Sequence, residues 1–95
     1  MATLNILVKE VKGHCPVFVL GDSFQILDGY RLRAEQPVCM HALASLMPYY
    51  VALSRGISAR ELGLGSGPAA YVQCLDPCRY THGGTVVFEV IATGV

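Results

Sequence analysis

The chain has 95 residues, enough for one domain over 1–95 with a single core. Its formal charge is zero and its seven Lys and Arg are scattered, Arg31 and Arg33 being the densest pair, which excludes a nucleic-acid partner held by a basic patch. Charged residues make up 15% and hydrophobic residues 53%, where a soluble domain carries roughly 25% charged. An apolar face is therefore expected to be covered in a homo-oligomer or by a protein partner.

No basic segment precedes an apolar run in Met1–Val8, so no export signal is expected. Gln36–Ser54 is the longest uncharged stretch, but it holds Pro37, His41 and Pro48, so no membrane span is expected. The expected compartment is the cytoplasm, where thiols stay reduced.

In Thr3–Val11, Leu4, Ile6 and Val8 alternate with Asn5 and Lys9, which predicts a strand. Gly13–Pro16 breaks it, and Val17–Leu20 is a short apolar piece that can pair or pack. Gly21-Asp22 predicts a turn, Ser23–Leu27 a second strand, and Asp28-Gly29 a tight turn into a return strand at Tyr30–Arg33. From Val38 the period becomes helical, with Ala42, Leu43, Leu46, Met47, Tyr50 and Leu53 on one face. Pro48 predicts a kink or two short helices, and Gly56 the end of the helical region. Ser58 is placed to cap a short turn through Glu61. Gly63–Pro68 reads as a loop, Ala69–Cys74 as a strand, Asp76-Pro77 as a turn, Arg79–Gly84 as a polar loop and Thr85–Thr93 as a strand. The expected fold is α+β: a small, mostly antiparallel sheet of four to five strands against one kinked helical region.

Chemistry concentrates in four cysteines. Cys15 stands in Gly13-His14-Cys15-Pro16, Cys39 at the helix start, and Cys74 and Cys78 in Cys74-Leu75-Asp76-Pro77-Cys78. Thiolates that converge from several element ends bind soft metals or iron–sulfur clusters. Proline after Cys15 fixes a turn and removes a competing donor, and a helix start favours negative charge on Cys39. The Cys74–Cys78 spacing can chelate one ion across a turn. His41 is expected to point away from Cys39 on a regular helix, and His82 to sit in a solvent-exposed loop. Gly63-Leu64-Gly65-Ser66-Gly67 is neither a phosphate loop nor a serine-hydrolase elbow, because no Lys-Ser/Thr or helix follows and the spacing is wrong.

Gly13-His14-Cys15-Pro16, Gly21-Asp22-Ser23-Phe24-Gln25-Ile26, Cys39, Pro48-Tyr49-Tyr50-Val51-Ala52-Leu53, Cys74-Leu75-Asp76-Pro77 and Val86-Val87-Phe88-Glu89-Val90 together cover nearly the whole chain. In this joint spacing the chain resembles a family of small, functionally uncharacterised prokaryotic proteins. That family carries a Gly-x-Cys-Pro, a helix-start Cys and a Cys-x-Asp-Pro. The resemblance implies Cys15, Cys39 and Cys74 as the site residues and brings no activity with it. Cys78 is extra to the pattern, and Gly63–Ala70 replaces the acidic, proline-rich stretch expected there.

The expected function is a small cysteine-rich protein that binds an iron–sulfur cluster or zinc. Cys15, Cys39 and Cys74 hold it, with Cys78 or a non-protein ligand in the fourth position. Two alternatives stand beside it: a thiol redox protein with Cys39 as attacking thiolate, and an accessory or interaction subunit whose cysteines are core residues.

Overall fold

In β1 (Thr3–Gly13), Leu4, Ile6 and Val8 are buried at every second position, while Thr3, Asn5 and Leu7 lie on the opposite face. The structure, a computed structural model, describes residues 1–94. Four more strands join β1: β2 (Ser23–Leu27), β3 (Arg31–Arg33), β4 (Ala70–Gln73) and β5 (Gly84–Thr93). They form one antiparallel sheet in the order β3-β2-β1-β5-β4. The α+β architecture expected from the sequence is the one observed.

Val8 and Val11 both face the core although they are three residues apart. Strict alternation forbids that, so the ladder slips: Val8 pairs with Phe88, whereas Glu10 pairs with Val87 and Val11 with Val86. The resulting bulge lets β1 run on to Gly13 with its apolar side still inward. Between β2 and β3 the chain turns at Asp28 and Gly29, both at positive φ (56° and 73°), with the Tyr30 N–H donating to the Leu27 carbonyl at 3.0 Å and Leu27 pairing with Arg31.

Three rings make the centre of the core. Phe18 stacks on Phe24 at 6.0 Å and meets Phe88 edge-on at 5.6 Å. Phe18 comes from the apolar piece at 17–20 and is 2% exposed, while its neighbours Val17, Val19 and Leu20 face out. Two short helices, α1 (Met40–Leu46) and α2 (Tyr50–Ser54), cover this face with Ala42, Leu46 and Leu53. Pro48 separates them, because it lacks the N–H for the next helical bond. Past α2 the Ile57 N–H reaches the Ala52 carbonyl (3.0 Å) and the Gly56 N–H that of Leu53 (3.2 Å). Gly56, at φ +90°, thus ends the helix as the sequence predicts. The Ser58 hydroxyl accepts the Glu61 N–H at 3.1 Å, which makes the expected cap of a single turn.

One element was not expected. The predicted loop over 79–84 contains a one-turn helix, α3 (Cys78–Thr81), stopped by His82 in the left-handed conformation. No helix of the described residues is long and apolar enough to cross a membrane.

Candidate functional site

Where β1 ends, the backbone passes very close to β5. Gly13 has φ +75°, and a Cβ there would lie 2.4 Å from the Gly83 carbonyl oxygen. That oxygen accepts the His14 N–H at 3.1 Å. The chain then turns at Cys15-Pro16. Pro16 has no N–H, and the next two amides, of Val17 and Phe18, donate to the Cys15 sulfur at 3.5 and 3.2 Å. Because Phe18 is anchored among the core rings, Cys15 is tied to the core through three residues.

Cys39 is the residue that opens α1. Its backbone is extended (φ −67°, ψ 132°), and its carbonyl takes the Leu43 N–H at 3.1 Å. Its side chain makes no capping hydrogen bond, so helix formation does not occupy the sulfur. Cys74 follows β4 and is buried. Its sulfur accepts the Val86 N–H at 3.2 Å and donates to the Gly84 carbonyl at 3.7 Å.

These three segments meet. Cys15, Cys39 and Cys74 line one cleft of about 440 Å³, floored by Phe18, Val38, Ala42 and Val86. Gly84 makes the approach possible, since a Cβ on it would lie 2.5 Å from the Cys15 nitrogen. All four cysteines are free thiols. Cys78, offered by its spacing as a fourth ligand, stands outside this lining. It starts α3, beside Gly13, and its N–H donates to the Thr85 hydroxyl at 3.3 Å.

Two residues with titratable side chains also line the cleft, His41 and Asp76. His41, exposed in the first turn of α1, borders the cleft just after Cys39. Asp76 was read only as a turn residue; the usable signal was its position two residues after Cys74.

Among the described residues, no three or more Cys, His, Asp and Glu side chains already stand in metal-holding geometry. A bound ion would have to draw the sulfurs inward. Each cysteine has one side-chain torsion, and a step between staggered wells moves its sulfur by about 3 Å. Soft sulfur donors, two of them receiving amide N–H bonds, are chemically suited to zinc, iron or an iron–sulfur cluster.

A larger groove of about 680 Å³ lies across the sheet, lined by Asn5, Gln25, Arg33, Glu35 and Glu89 among others. It contains no cysteine, and three of its polar side chains are already engaged. Gln25 donates to Asn5 at 2.8 Å, and Glu89 takes Tyr71 at 3.0 Å and Lys9 at 3.6 Å. The thiol cleft is the better candidate on chemistry, although it is the smaller space. No family model, no curated protein and no solved structure matches the chain.

Proposed function

We propose that the protein binds a soft metal ion, zinc or iron, or an iron–sulfur cluster, through Cys15, Cys39 and Cys74. One observation carries this reading: three cysteines from distant segments line a common cleft. The N–H groups aimed at the Cys15 and Cys74 sulfurs add support, since such bonds stabilise sulfur that carries negative charge. Only Cys74 of the three is buried; Cys15 and Cys39 are partly exposed, which core cysteines need not be. When bound, the ion or cluster supplies Lewis acidity or an electron. Free thiols suit a reducing compartment such as the cytoplasm. Exposed Val17, Met40 and Leu75, near the thiols, suit docking to another protein or a second copy.

The test is metal and acid-labile sulfide analysis of protein purified without oxygen. The expected result is close to one metal site per chain, lost together when Cys15, Cys39 and Cys74 are replaced by Ser. Protein that is folded, fully reduced and free of zinc, iron and sulfide, and that takes up none when they are supplied, excludes this function. It leaves the interaction subunit as the better account.

A further inference from the structure

We infer that the protein pairs with a second copy of itself, about a two-fold axis, along the β3 edge of the sheet. The inference goes beyond the thiol site and does not depend on it: none of the residues that carry it lines the thiol cleft.

The sheet has two edges, β3 and β4, and they differ. At β4 the preceding loop covers the outer side, the Leu64 carbonyl accepting the Tyr71 N–H at 2.9 Å. At β3 no backbone bond from outside the sheet reaches Arg31, Leu32 or Arg33 among the described residues. A bare edge is a template for another strand, and proteins guard such edges by keeping them short and charged. β3 is short, at three residues, and carries two arginines. Arg31 is already neutralised by Asp28, so the guard is Arg33 alone.

The helix side of this edge is apolar. Tyr30 and Leu32 form a groove with Met47 and Tyr50, above Ile26 and Leu46. Tyr30 is 80% exposed, Met47 61% and Leu32 46%. Large apolar side chains clustered beside a bare edge gain from being covered.

The charges say what covers them. On the open side of the sheet, Arg33 and Glu35 both line the larger groove and both are exposed. The ion pairs among the described residues join Lys9 to Glu89, Lys12 to Glu10 and Arg31 to Asp28, and include neither. Arg33 and Glu35 thus stand two residues apart without pairing. Across a two-fold axis near Ala34 the chain direction reverses. Arg33 then meets the partner's Glu35, and Glu35 meets the partner's Arg33. An isologous contact makes each such pair twice. An unrelated partner would have to supply a base, an acid and an apolar strip in the mirrored order. A second copy supplies them by symmetry, and at zero net charge it meets no overall repulsion.

Sedimentation equilibrium tests this on reduced protein with a chelator present, so that neither a disulfide nor a shared metal joins two chains. Wild type should weigh twice one chain at about 100 μM and dissociate on dilution. Leu32→Glu should weaken association by about tenfold or more, because it puts an unpaired charge into the apolar contact. Arg33→Glu and Glu35→Arg should each weaken it by about tenfold, since each turns two attractions into two repulsions. Mixing those two variants should restore a dimer containing one copy of each, and a chain carrying both substitutions should dimerise again.

A monomer at every concentration up to about 1 mM overturns the inference. A dimer that persists unchanged in Leu32→Glu, folded by circular dichroism, also overturns it, because another face is then in use. Should Leu32→Glu not fold, the exposed charge variants decide: single variants as tight as wild type, or a mixture that does not recover, overturn it equally. A dimer that forms only when metal replaces the chelator belongs to the thiol site and removes the β3 contact.

Discussion

At single positions the site depends on side chains that are missing. Gly84→Ala puts a methyl group 2.5 Å from the Cys15 nitrogen and 2.7 Å from the His14 carbonyl carbon. Backbone must move to admit it, so a loss of about 1–3 kcal/mol is expected in urea unfolding, together with weaker metal uptake. Away from the cleft, Tyr71 gives a pH prediction. Its hydroxyl donates to Glu89 at 3.0 Å, and that bond, followed by the Glu89 charge, raises the phenol above its ordinary value of 10.0. Because the folded value is the raised one, this contribution to stability is complete below the unfolded phenol value. It is lost as pH rises through the folded one. A phenolate absorbance titration of wild type minus Tyr71→Phe should place Tyr71 above 10, and Glu89→Gln should bring it down. The cysteines were legible in the sequence because sulfur chemistry is rare and their flanking Pro and helix-start positions are local. The bordering position of Asp76 was not, since Asp-Pro is also ordinary turn chemistry.

Among the elements, strands were the easiest to read. Val86, Phe88 and Val90 alternate cleanly with Glu89 and Ile91, and the buried side of β5 is the one that alternation predicts. The bulge in β1 was hidden, because Val8 and Val11 reveal it only once β5 is known to pair with both. α3 was missed for another reason: one turn of helix is too short to show a period. Its placement beside Gly13 is also what takes Cys78 out of the cleft, and no ligand spacing contains that information. Pro48 marks the boundary between α1 and α2 through a missing donor. Pro48→Ala restores it, so the helical circular-dichroism signal at 222 nm should deepen. Stability should change by less than about 1 kcal/mol, since each helix keeps its own seat on the sheet.

For the whole molecule, Phe18 links folding to the site. Its ring packs between Phe24 and Phe88, and its N–H holds the Cys15 sulfur. Phe18→Ala should cost about 3–5 kcal/mol. That is a large share of the roughly 5–15 kcal/mol available to a domain. Denaturant titration measures it, and metal uptake should fall in the fraction that remains folded. The sheet order has its own bearing on this chemistry. β1 (Thr3–Gly13) and β5 (Gly84–Thr93) are far apart in sequence, yet they lie side by side in the sheet. Pairing between sequence-distant strands is slow, and here it must wait for β5 to reach β1. Until Val86 and Gly84 arrive, Cys74 has no amide to receive and Cys15 has nothing to rest against. Without β5 in place the three thiols stand on segments that nothing holds together, so the cleft is a product of the completed sheet and not of any local stretch of chain.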